Sequence, residues 1–236
     1  MRTLRLSRWL TTAVFLLPTV LCAQNRPART SSGELHLRIQ PTPSAHRKVA
    51  AVVWLEPLGD TPVVSFTPQG HYTLLQKDRM FMPHLQVVPV GSVVQFPNAD
   101  PFYHNVFSLF DGKRFDLGLY EAGTTKSVTF SRSGVSYIFC NIHPEMSAVV
   151  ISLSTPLYAI ADATDTVTIR NIPVGDYVMR VWVEGVLASA LQGLSREIKV
   201  SPGLNDFGTM SVPVATNATH TNKFGNAYDH QPTSPY

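Results

Sequence analysis

The chain of 236 residues has two cysteines, Cys22 and Cys140, and 15% of its residues are charged. It has no uninterrupted apolar stretch of the roughly 20 residues that a membrane-spanning helix requires. No segment keeps a helical apolar period, and 18 prolines and 14 glycines are spread along the chain, which argues against a helical bundle. A glycine-rich phosphate loop, a Ser/His/Asp arrangement and a pair of catalytic carboxylates are all missing, so neither nucleotide-driven nor hydrolytic chemistry finds its usual residues. What the chain does have is short β-branched and aromatic runs punctuated by turn residues, and these predict an all-β fold.

The first 23 residues read as a Sec-type export signal. Arg2, Arg5 and Arg8 precede an apolar stretch from Leu10 to Leu21, and Leu21-Cys22-Ala23 resembles a cleavage site. There is no twin-arginine pair. Acylation at Cys22 is the rival reading, and Leu21 is bulky for the residue before an acylated cysteine. Export predicts a periplasmic or secreted protein of a bacterial envelope. Loss of this leader takes the 19 Lys and Arg down by three to 16, against 16 Asp and Glu. The mature chain is then formally neutral and makes no electrostatic case for nucleic acid. Cys140 is left as a lone cysteine without an internal disulfide partner; in an oxidising compartment such a thiol is buried, reactive or metal-bound.

Glu34–Gln40 alternates apolar and polar residues as a half-buried strand does, and Val49–Leu55 reads as a more deeply buried one. Residues 56–70 form a Pro/Gly-rich connector with a short strand expected near Val63–Phe66. Further strands are expected at Tyr72–Gln76, around Phe81–Val90, at Ser92–Phe96 after a hairpin turn at Gly91, at Val106–Leu109, Lys126–Phe130 and Val135–Cys140. Residues 110–124 read as turns. A third texture follows Pro156, with strands at Leu157–Ala161, Thr166–Ile169, Tyr177–Glu184 and Glu197–Val200. Residues 213–236 are polar and expected to be a disordered tail, with a sequon at Asn217.

The chemistry concentrates in Cys140-Asn141-Ile142-His143-Pro144-Glu145-Met146, a loop between two strand-like runs. Thiolate, imidazole and thioether make a soft donor set suited to copper. His104, after the strand-like Ser92–Phe96, is the candidate for a second imidazole. Each residue has a plainer alternative: an inert buried cysteine, a loop histidine, a core methionine. His84 reads as either a structural histidine or a group close to the site, and His36, His46, His71, His220 and His230 have no metal-ligand spacing.

Phe81-x-Pro83, Gly91, Val94-x-Phe96-x-Asn98, His104-Asn105-Val106 and Cys140-x-x-His143-Pro144-x-Met146 together resemble the cupredoxins, the blue-copper β-sandwich proteins, over residues 71–154. The loop is similar to the short amicyanin form rather than the longer plastocyanin one. The whole chain resembles exported bacterial proteins called methylamine-utilisation-like. The resemblance implies a Greek-key sandwich holding one type 1 copper through His104, Cys140, His143 and an axial Met146. Asn105 would hydrogen-bond to the Cys loop and Pro144 would stiffen it. Glu145 departs from the apolar residue common at that place and bears on partner docking. Ile169-x-Asn171-Ile172-Pro173-x-Gly175-x-Tyr177 with Val181-Trp182 resembles the carboxypeptidase regulatory-like, transthyretin-like β-sandwich. Asp162-Ala163-Thr164-Asp165 departs from that pattern by lacking its glycine. Residues 32–60 and 155–212 are expected to form this second small sandwich, with the cupredoxin-like part inserted; the rival assigns the N-terminal strands to the cupredoxin-like part.

Single-electron transfer with a redox protein partner is the expected function, with no enzyme activity of its own. The His-x-His pairs of multicopper oxidases and the extra histidines of nitrite reductases are missing. Copper storage, delivery or sensing is the alternative, for which Met80-Phe81-Met82-Pro83-His84 is the motif. An envelope binding module with a cupredoxin scaffold is a third.

Overall fold

The computed structural model describes residues 31–42, 49–109, 112–214 and 221–228. The expected export signal at 1–23, the Cys22 question, His46 and the Asn217 sequon lie outside them. The described residues are nearly all β. The chain opens with β1 (Ser32–Thr42) and β2 (Ala51–Pro57). Ten strands follow: β3 (Tyr72–Thr73), β4 (Leu75–Lys77), β5 (Met80–Met82), β6 (Leu85–Pro89), β7 (Ser92–Pro97), β8 (His104–Ser108), β9 (Phe115–Tyr120), β10 (Thr125–Phe130), β11 (Gly134–Cys140) and β12 (Ser147–Leu153). The last group is β13 (Tyr158–Ile160), β14 (Thr166–Pro173), β15 (Gly175–Val183), the helix α1 (Ala188–Leu194), β16 (Arg196–Val200) and β17 (Gly203–Pro213).

Two sandwiches result. In one, the sheet β14-β1-β17 faces the sheet β13-β2-β15-β16. Leu35, Leu37 and Ile39 alternate inward from β1 and meet Val53 and Leu55 of β2, Val167 and Ile169 of β14, and Tyr177, Met179 and Val181 of β15. In the other, the sheet β6-β12-β11-β8-β9 faces β10-β7-β3. Val94 and Phe96, Val128 and Phe130, Ile138 and Cys140, and Ala148 and Val150 fill its core. Each fully buried Leu, Ile, Val or Phe side chain contributes about 1.5–3 kcal/mol of transfer free energy. A third cluster joins the outer faces of the two sandwiches. Val52 and Trp182 point out of the first while Val149, Ile151 and Leu153 point out of the second, because neighbouring strand residues face opposite ways.

Several sequence expectations need correction. No strand forms near Val63–Phe66; Pro62 and Pro68 remove ladder donors there, and Val63 is exposed. The turn at Gly91 is present, with φ of 91°, but is not a hairpin. β6 pairs in parallel with β12 and β7 pairs antiparallel with β10, so the turn carries the chain from one sheet to the other. The supposed turn region 110–124 contains β9, masked in the sequence by Asp116 and Gly118. Gly118 has φ of 66°, and the β8–β9 register shifts between Asn105 and Phe107. β17 escaped notice because as an edge strand it buries little beyond Met210 and Val212. The seven-residue α1 is too short to show a period. In the Asp162–Asp165 turn, Asp162 Oδ1 accepts from the N–H groups of Thr164 and Thr166, and Asp165 takes the positive φ, 60°. Residues 221–228, within the stretch expected to be loose, are hydrogen-bonded to the second sandwich. Among the described residues no helix is long and apolar enough to cross a membrane.

Candidate metal centre

β8 and β11 are neighbours, and their register sets Cys140 opposite Val106. His104, two residues earlier on β8, therefore lies at the end of the sandwich where Cys140 leaves β11. The chain then turns back within six residues to β12. Cys140 N–H donates to Met146 O at 3.2 Å and Met146 N–H to His143 O at 3.1 Å, which closes the loop. Asn141 N–H donates to Asn105 O at 2.9 Å and ties the loop to β8.

These constraints bring His104, Cys140 and His143 together. Their donor atoms all lie within 4.8 Å of one another, and the three residues are buried. Cys140 Sγ is 3.7 Å from His104 Nδ1 and 3.6 Å from His143 Nδ1, and the two Nδ1 atoms are 3.1 Å apart. Met146 is fully buried in the same core cluster as Cys140, at the closing end of the loop. Pro144 and Glu145 are exposed between them.

The protonation states suit metal binding. Burial pushes both imidazoles below the ordinary histidine range, for His104 against the opposing pull of Asp100, and for His143 with help from the charges of His104 and Arg79. Both rings are therefore neutral near pH 7, with a lone pair each. His104 Nε2 lies 2.9 Å from Asp100 Oδ2, so the proton sits on Nε2 and Nδ1 is left as the acceptor facing Cys140. Among the described residues His143 Nε2 is buried without a hydrogen-bond partner, and the polar contacts of this ring are those of Nδ1 inside the cluster. Burial pushes the Cys140 thiol up, opposed by backbone N–H groups of Asn105, Ile142 and His143. Those donors stabilise a thiolate once a cation is present. One thiolate and two neutral imidazoles, backed by a carboxylate, fit a soft or borderline transition metal and not a hard cation that prefers oxygen.

Asp100 was not singled out in the sequence, although it stands four residues before His104. Burial alone would raise its carboxyl, but the N–H groups of Arg79 and Asp78 and the His104 ring hold it below the usual range. Asp78 N–H donates to Oδ1 at 2.6 Å and Arg79 N–H to Oδ2 at 3.1 Å. Both turn residues are non-glycine at positive φ, 55° and 57°, which costs of order 1 kcal/mol each and is offset by two charge-assisted bonds. The turn also sets the Arg79 guanidinium 5.2 Å over the Phe102 ring. Phe102 in turn lies 5.3 Å from the His104 ring and 5.5 Å from the His143 ring, and covers the cluster.

Asn105 was expected to hydrogen-bond to the Cys loop; its side-chain Nδ2 donates to Asp116 Oδ1 at 2.7 Å, beside the register shift between Asn105 and Phe107, which pairs with Asp116. The backbone of Asn105 makes the loop contact. His84 stands apart from the cluster, with Nδ1 3.0 Å from Ser147 O and Nε2 2.8 Å from Glu184 Oε1, across the junction of the two sandwiches.

No family profile and no characterised protein sequence matches the chain. Solved structures similar to part of it include a copper-containing nitrite reductase from Thermus scotoductus SA-01, at 22% identity and a TM-score of 0.34. The similarity covers 42% of this chain and 25% of that one, so this chain spans about a quarter of the reductase. A purple cupredoxin from Nitrosopumilus maritimus is similar at 22% identity and a TM-score of 0.31, over 36% of this chain and all of that one. A reduced amicyanin variant is similar at 20% identity and a TM-score of 0.34, over 37% of this chain and 86% of that one.

Proposed function

We propose that the protein binds one copper ion through His104 Nδ1, Cys140 Sγ and His143 Nδ1, with Met146 as a weak fourth ligand. In this reading it passes single electrons to or from a redox protein partner in the cell envelope. The observation that carries it is the convergence of two imidazole Nδ1 atoms and one buried thiol at the end of a sandwich, Cys140 being the free cysteine of the described residues. Copper held by such a set changes oxidation state by one electron, and a thiolate with two imidazoles suits both states. The residues of the chain do the rest. Asp100 fixes the His104 tautomer, the bonds between Cys140, Met146 and His143 keep the loop short and rigid, and Phe102 keeps water from the ring edges. Residues 32–60 with 155–212 form a regulatory-like sandwich into which residues 71–154 are inserted; the shared core of β1, β2, β14 and β15 supports this division.

The test is a visible spectrum of the protein after Cu(II) addition, beside Cys140→Ser. An intense thiolate-to-copper band, lost in the variant, is expected; a protein that takes up neither Cu(II) nor Cu(I) would sink the reading. Copper delivery is the second reading, supported by the Met80 and Met82 thioethers exposed on β5. A colourless protein with tight Cu(I) binding would favour it.

A further inference from the structure

Residues 221–228 reach the metal end of the second sandwich from a part of the chain that follows the last strand of the first. The segment is a self-locked turn. Asn222 Oδ1 accepts from the N–H groups of Phe224 and Asn226, both at 3.0 Å, and Gly225 takes φ of 80°. From this turn Lys223 N–H donates to Asn141 Oδ1 at 3.0 Å, and Lys223 Nζ lies 2.8 Å from Asp116 Oδ2. Asp116 Oδ1 accepts from Asn105 Nδ2, and Asn105 O accepts from Asn141 N–H. The four residues thus form a closed ring of bonds joining the tail, β9, β8 and the ligand loop. A second tie comes from Tyr228, whose hydroxyl donates to Cys140 O at 2.9 Å.

The ring spans the two elements that supply donors. His104 and Asn105 are on β8; Cys140 and Asn141 are at the start of the loop. Opening the cluster requires Asn141 to part from Asn105, and the tail bridges that seam from outside. We propose that residues 221–228 are a strap that holds the ligand loop shut against β8, with Lys223 and Tyr228 as its positioning residues. As a lock on the loop the strap stands on geometry alone; as a guard on copper it rests on the function proposed above. Its consequence is slow metal exchange: the loop cannot swing away from His104 until the tail has left.

The test uses the full chain and the double variant Lys223→Gln/Tyr228→Phe. Both positions are half-buried and lie outside the core clusters, so the substitutions leave the core intact. In metal-free protein, hydrogen exchange at the amides of Cys140 and Asn141 is expected to quicken by about tenfold or more, as loss of hydrogen bonds of ordinary strength implies, while the amides of Leu35 and Leu37 in β1 keep their rates. In Cu(II)-loaded protein, loss of the visible band to excess soluble chelator is expected to quicken by a similar factor. Unchanged exchange at Cys140 and Asn141 overturns the strap, and so does equal acceleration in β1, which would assign the tail to general stability. Wild-type protein that binds no copper overturns the copper reading, and the exchange rates alone then decide the strap.

Discussion

At the scale of single residues, Asp100 and Met146 separate a metal site from an ordinary polar core. Asp100 carries charge onto His104 Nε2 and accepts two backbone N–H groups. Asp100→Asn keeps the shape but removes the charge that raises the basicity of the imidazole, and it forces an amide N–H₂ to face donors. Copper affinity is expected to fall about 10–100-fold, read by competition with a chelator of known affinity. An unchanged affinity would mean that the carboxylate serves the β4–β5 turn alone. Met146 is fully buried, and as a core residue it would tolerate Met146→Leu at a cost under about 1.5 kcal/mol. As a ligand it would move the visible spectrum and the reduction potential in the same variant. A normal unfolding midpoint with a shifted potential is the expected pair of results; no shift in either would leave Met146 a core residue.

At the scale of elements, β9 shows how an acidic residue couples strands. Asp116 is held below the usual carboxylate range although burial opposes this; Lys223, Asn105 and the N–H of Gly118 stabilise the charged form. A carboxylate with a lowered folded-state pKa stabilises the fold above its unfolded value, near 3.9, and loses that contribution as pH falls through the lower folded value. Asp116→Asn in metal-free protein is therefore expected to be less stable than wild type at pH 7 and to show a smaller loss of stability on acidification below pH 4. The Asp116 side chain is 42% exposed, which limits the effect to about 1 kcal/mol. Urea unfolding at a series of pH values checks it; parallel curves would remove the ion pair from the account. Such partnerships also mark the limit of what could be read in advance. The alternation of Glu34–Gln40 and the spacing Cys140, His143, Met146 are local patterns, and the structure has β1 and the loop at those places. His104 was found through its neighbours, although it begins β8 and is not on a loop leaving a strand. Asp116 and Lys223 are 107 residues apart, and Tyr228 and Cys140 are 88 apart; no periodicity connects them. β9 was missed for the same reason, since its strand character comes from pairing with β8 and not from its own Asp and Gly.

At the scale of the whole molecule, the question is whether the two sandwiches unfold together. Their cores are separate, and the junction between them is built on the cluster of Val52, Val87, Val149, Ile151, Leu153 and Trp182, with Trp182 Nε1 donating to Tyr137 Oη at 3.0 Å and the His84–Glu184 contact beside it. Trp182 is 1% exposed, the largest side chain buried to that degree, and it stands on β15 between Val181 and Val183, which face the other way into the first core. Trp182→Ala leaves those two inward contacts in place and removes the centre of the junction, so its cost of about 3–5 kcal/mol falls mainly on the coupling between sandwiches. Wild type is expected to melt in one calorimetric transition. The variant is expected to melt in two, the sandwich that holds His104, Cys140 and His143 being distinguished by a shift of its transition alone on adding copper. A variant that still melts in one transition, merely displaced, would mean that the cluster is part of a single cooperative core; two transitions already present in wild type would mean that the junction couples nothing.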